Sequence, residues 1–118
     1  MNQNMQKALN KQINAELYSS YLYLSMAAWF EKNNLSGFAQ WMRGQAREES
    51  EHAMRFFDHI LQCGGEVNLQ AVDQPKQSWN STPEVFEEVY GHEQKVTSMI
   101  HDLVDLATKE NDHAANVL

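Results

Sequence analysis

The chain has 118 residues, 42% of them apolar, which suits one domain with a modest core and leaves no room for a second. Its formal charge of −7 argues against nucleic acid or an anionic membrane surface as a partner. Cys63 is the one cysteine, so no intrachain disulfide can form; with no secretory-type leader and no apolar run that could span a bilayer, the expectation is a soluble protein of the cytoplasm.

Glycine and proline are scarce and helix formers abundant. Leu9, Ile13, Leu17, Leu24 and Ala27 or Ala28 recur at helical spacing and predict a first helix over about residues 3–32, broken at Asn33-Asn34. A second helix follows at about 37–63, with Ser36 as its N-cap and a left-handed C-cap at Gly64-Gly65. The link between these two is only a few residues, so they pack antiparallel. Ser81-Thr82-Pro83-Glu84 has the form of a capping box with proline in the first turn. It opens a third helix over about 83–109, whose stripe is Val85, Phe86, Val89, Val96, Ile100, Leu103, Val104 and Ala107.

The connector over 64–82 is long for neighbouring helices. Its stretch from Gly65 to Asn80 reaches roughly 50 Å when extended, beyond the about 39 Å spanned by roughly 26 helical residues. It can therefore return along the bundle and start the third helix parallel to the second. The expected fold is all-α: a single domain over 1–118, built as an antiparallel helix bundle with one long crossover. Three long helices are present, and a fourth is missing or supplied by another chain. Ala114 to Leu118 read as the truncated start of that fourth helix, which makes the domain C-terminally incomplete.

The informative residues are charges that fall on apolar seams. The second helix carries Phe38, Met42, Gln45, Glu49, His52, Phe56, His59 and Cys63 on one seam. Glu93 is the single charge on the corresponding seam of the third helix, and on the first helix Glu16 and Tyr23 share a face with Ile13, Ser20, Ala27 and Phe30. A buried carboxylate is costly unless it is paired or holds a metal. Counted from the first turn, Glu16 lies about 25 Å down its helix, and Glu49 and His52 lie about 20 and 24 Å down theirs. Glu93 reaches the same level whether the third helix runs parallel or antiparallel to the second.

Glu49-x-x-His52 places a carboxylate and an imidazole on one face, the pair that helical carboxylate bundles use to hold two irons together with single glutamates from other helices. Oxygen donors with one imidazole per metal suit Fe(II) and tolerate Fe(III). The competing reading is a helical interaction module whose buried Glu and His are merely paired, with no metal chemistry. A second E-x-x-H, Glu110 to His113, falls at a polar helix end and reads as solvated. His59 and Cys63 read as core, His92 and His101 as solvated or hydrogen-bonded. Met26, Met42, Met54 and Met99 read as core filler, and Trp29 and Trp41 as packing across the first turn.

At ELYSSYLYLSMAAWF (Glu16 to Phe30), SGFAQWMRGQAREESEHAMRFFDHILQCGG (Ser36 to Gly65) and HEQKV (His92 to Val96) the sequence resembles the bacterial non-haem ferritins. The resemblance implies an iron storage protein with ferroxidase activity. It would oxidise Fe(II) with dioxygen or peroxide and deposit ferric mineral in a homo-oligomeric shell of 24 subunits. It implies Glu16, Glu49 and His52 as ligands of the first iron, Glu49 and Glu93 of the second, and Tyr23 as a tyrosine beside the centre that hydrogen-bonds a ligand or supplies an electron. It also implies Glu48 as a ligand of a third iron. Members of that family continue into a fourth long helix.

Overall fold

The structure is a computed structural model that describes residues 1–112. It contains α1 (Gln3–Lys32), α2 (Ser36–Gln62) and α3 (Thr82–Lys109), in a body measuring 49 × 21 × 21 Å. The expected fourth-helix start at Ala114 to Leu118, and His113 of the second E-x-x-H, lie outside the described residues.

Local chemistry sets the helix ends. Asn2 caps α1 by accepting from the amides of Asn4 and Met5. Each helix closes on a residue of positive φ: Asn34 (61°), Gly64 (74°) and Asn111 (56°). After α2, Gly65 N–H reaches Ile60 O and Gly64 N–H reaches Leu61 O. This pair of bonds satisfies carbonyls that the last turn leaves orphaned, and the left-handed residue between them suits glycine. Ser81 Oγ accepts from Glu84 N–H as expected. The return half of the capping box is replaced, because the Glu84 carboxylate takes Lys76 Nζ instead.

The start of α2 differs from the sequence reading. Leu35 stands at the N-cap with no side-chain hydrogen bond, and Ser36 is already helical. The Asn34 turn places Leu35 against the core, where apolar contact substitutes for a polar cap. Four apolar residues assigned inward are exposed: Leu24 at 51%, Met54 at 48%, Val104 at 45% and Phe38 at 42%. On α1 the inward positions belong to Leu22 and Tyr23. Trp29 and Trp41 do not meet across the first turn. Trp29 lies edge-on to Trp79 of the crossover at 6.2 Å, while Trp41 lies 6.0 Å from Phe86 of α3.

Two apolar clusters define the bundle. One joins Leu22, Tyr23, Met26, Ala27 and Phe30 of α1 to Ala39, Met42 and Ala46 of α2, Trp79 of the crossover and Val85 of α3. The other joins Met5, Leu9 and Ile13 to Ala53 and Ile60 and to Ala107. The end of α1 therefore meets the starts of both α2 and α3, and its start meets their ends. Both run antiparallel to α1 and parallel to each other.

The crossover makes this possible. It runs along α1 on polar side chains: Gln6 Oε1 accepts from Glu66 N–H, Asn10 bonds Glu66 O and Asn68 N–H, Asn14 bonds Ala71 O, and Ser25, three turns further on, bonds Lys76 O. Backbone groups of an irregular segment lying against a helix need partners, and these side chains supply them. Asn10 is 4% exposed and serves both a donor and an acceptor of the strap. Replacing it with alanine should cost about 1–3 kcal/mol in urea unfolding, because buried backbone groups lose their partners. An unchanged midpoint would show that the strap holds without it.

Candidate metal centre

Between the two apolar clusters lies one polar layer. On α1 it is Glu16 and Ser19, between Ile13 below and Leu22 above; on α2 it is Glu49, between Ala46 and Ala53. On α3, Glu93 occupies the interval between Val85 and Ala107. The arrangement follows from helical period: each polar residue sits at an inward position that would otherwise carry an apolar side chain.

Glu16 is 2% exposed and Glu49 6%. Ligand-type atoms of Glu16, Glu49 and His52 lie within 4.8 Å of one another. His52 Nδ1 stands 3.5 Å from Glu49 Oε2 and 3.8 Å from Glu16 Oε2. Donors sharing one first-row divalent ion at about 2.1 Å each are at most about 4.2 Å apart, so a small side-chain adjustment closes the set on a metal. Glu93 lines the same cavity of about 300 Å³, with Phe56, Val96 and Ile100 as its apolar walls. His52 is 40% exposed at the side chain, on the open flank of that cavity.

The neutral partners of the carboxylates are as telling as the carboxylates. Gln12, 1% exposed, donates Nε2–H to Glu16 Oε1 at 3.0 Å, and Tyr23 Oη donates to Glu93 Oε1. Each tie occupies one oxygen of its carboxylate. The other oxygen of Glu16, Oε2, is buried without a hydrogen-bond partner. An unsatisfied buried carboxylate oxygen is costly and rare, and a cation at that point removes the cost.

Electrostatics agree. Burial pushes the Glu49 carboxyl well above the usual carboxylate range, helped by the adjoining Glu16 carboxyl and by the charges of Glu93 and Glu48. Burial likewise raises the Tyr23 phenol, reinforced by the bond to Glu93 and the charges of Glu93, Glu49 and Glu16. Both shifts report a site with more negative charge than its surroundings can balance.

This geometry coincides with that of known proteins. A family model, Ferritin (Ferritin-like domain), matches residues 6–118. The chain belongs to the ferritin family. It is 42% identical to a bacterial non-heme ferritin of Bacteroides fragilis (strain 638R), over 97% of this chain and 72% of that one. It is 40% identical to a bacterial non-heme ferritin of Campylobacter jejuni, over 92% and 65%. Among solved structures, the open pore ferritin of the archaeon Archaeoglobus fulgidus superposes with a TM-score of 0.96 at 50% identity, covering 98% of this chain and 71% of that chain.

Within this ferritin fold the sequence-derived residues separate. Glu16, Glu49 and His52 form the tight group, with Glu93 and Tyr23 joined beside it. Glu48 is exposed and does not line the cavity, although its charge reaches Glu49. His59 and Cys63 pair with each other at 3.7 Å near the end of α2. Sequence reasoning passed over Gln12 and Ser19. Gln12 was detectable in principle, since it precedes Glu16 by four residues on the same face.

The pH dependence of the metal-free protein follows from Glu49. Its folded pKa lies above the unfolded value of 4.5, so the folded state keeps a proton that the unfolded chain releases. That contribution is complete below about pH 4.5 and is lost as pH rises through the folded value. In chelator at pH 8, Glu49→Gln should therefore stabilise the protein by roughly 1 kcal/mol after solvent screening, with little effect at pH 4.5. Equal destabilisation at both pH values in thermal unfolding would contradict this origin.

Proposed function

We propose that the protein is an iron-storing ferroxidase: it binds Fe(II) in pairs in the polar layer, oxidises it and passes the ferric product to a mineral store. The buried Glu16 Oε2, which accepts no hydrogen bond where the carboxylates of Glu16 and Glu49 and the imidazole of His52 converge, carries this reading. A merely paired Glu/His cluster would satisfy that oxygen.

Glu16, Glu49 and His52 supply the donors for one ferrous ion. Glu49, between Glu16 and Glu93, is the natural bridge to a second ion held with Glu93. Two ferrous ions give up one electron each, and dioxygen takes two electrons and two protons to become hydrogen peroxide. Peroxide can serve as oxidant in the same way, taking two electrons and two protons to give water. Protons leave the carboxyls when metal binds, because the donor form is the carboxylate. Oxygen ligands then stabilise the higher ferric charge, which favours the oxidised product. Tyr23 holds Glu93 by one oxygen and leaves the other for a metal ion. Glu48, exposed next to Glu49, is positioned as a ligand for a further iron outside the pair. Storage requires an enclosed volume, so the reading includes self-association into a homo-oligomeric cage, of 24 subunits by family resemblance, in the cytoplasm.

Aerobic addition of Fe(II) should give a rapid ferric absorbance in the near ultraviolet. Glu49→Ala and His52→Ala should each slow its initial rate by about 10–100-fold while leaving the helical circular dichroism intact. Oxidation at the wild-type rate in both variants would refute the catalytic assignment.

A further inference from the structure

Tyr23 is 1% exposed, and two contacts fix it. Its hydroxyl donates to Glu93 Oε1, and its ring stands perpendicular to the His92 ring with centroids 6.0 Å apart. His92 is itself held. Its Nε2 lies 2.6 Å from Ser19 Oγ, while Ser19 Oγ donates its single proton to Ala15 O at 2.9 Å. With the Ser19 hydrogen on Ala15 O, the tautomer that fits carries its proton on His92 Nε2 and donates to Ser19 Oγ. Tyr18 closes the other side of the ring at 5.6 Å. Beyond Tyr18 and His92 opens an outer cavity of about 440 Å³ reached by Lys11 and Lys95. His92 is thus part of the wall between that cavity and the buried phenol.

We infer that His92, anchored by Ser19, is a positioning residue for Tyr23: it holds the phenol ring edge-on, so that the O–H stays on Glu93 Oε1 and Oε2 is left for a metal ion. An edge-to-face pair is directional, unlike a plain apolar wall. Without it the ring is free to tilt as well as to flip, which carries the hydroxyl off Glu93 Oε1 and frees the carboxylate to turn. A ligand displaced by less than its own width slows chemistry that depends on alignment. The proposal rests on the two-iron reading for its catalytic consequence, but the clamp itself does not.

The test uses two variants that divide the roles of His92. His92→Gln keeps a donor that can reach Ser19 and removes the ring; His92→Phe keeps the ring edge and removes the donor. In metal-free protein, NMR of the labelled Tyr23 ring should show slow flipping, with two distinct edge environments, in wild type and His92→Phe. His92→Gln should give a single averaged signal. On aerobic Fe(II) addition, His92→Gln should lower the initial rate about five- to tenfold and His92→Phe by less than about twofold. In a Tyr23→Phe background, His92→Gln should lower it no further. The reverse order of the two variants would overturn the clamp, since it would assign His92 a role through Ser19 alone. So would equal losses in both backgrounds. Should wild type oxidise no iron, the functional reading fails, and the ring-flip data still decide the clamp.

Discussion

The bundle depends on a single layer of buried carboxylates that its own apolar core cannot satisfy. Above and below that layer the helices meet through ordinary packing, Phe30 against Phe38 and Phe86 at one end and Met5, Leu9 and Ile60 at the other. Within it, Glu16 and Glu49 face each other with one oxygen unpartnered. Leaving a carboxylate in such surroundings costs several kcal/mol unless its charge is neutralised by a proton or a cation. The metal-free protein uses the proton, as the raised Glu49 shows; iron offers the cation. Proton release and metal capture are therefore one equilibrium.

The topology serves that layer. A short antiparallel turn after α2 would run α3 against α2 instead of alongside it. The crossover, fastened to α1 through Gln6, Asn10, Asn14 and Ser25, carries the chain back along the bundle so that α3 starts beside the start of α2. Glu93, ten residues beyond Pro83, then arrives level with Glu49. The polar strap sets the direction of α3, and Glu93, near the middle of that helix, completes the carboxylate layer.

Much of this was readable in the residues, for a physical reason. A charge at an inward position of an amphipathic helix breaks a strong pattern, so Glu16, Glu49 and Glu93 stand out, and the spacing of Glu49 and His52 puts a carboxylate and an imidazole on one face. Helix ends were legible where glycine or asparagine met a left-handed turn. What stayed hidden depends on long-range contact. Ser19 and His92 are polar residues that a helix carries as easily on its surface; only the packed bundle joins them to each other and to Tyr23. Leu24 and Met54 were assigned inward by period alone, and the structure turns them outward because Leu22, Tyr23 and Ala53 fill the core. Trp29 lies against Trp79, 50 residues away in the chain, which no local pattern encodes.

The most direct measurement is a crystal soaked anaerobically in Fe(II) and recorded at the iron absorption edge. The account predicts two anomalous peaks in the polar layer, one among Glu16, Glu49 and His52 and one between Glu49 and Glu93, with Gln12 and Tyr23 keeping their hydrogen bonds to the ligand carboxylates. An iron-free layer in crystals that hold iron elsewhere, with Glu16 Oε2 still unpartnered, would contradict it.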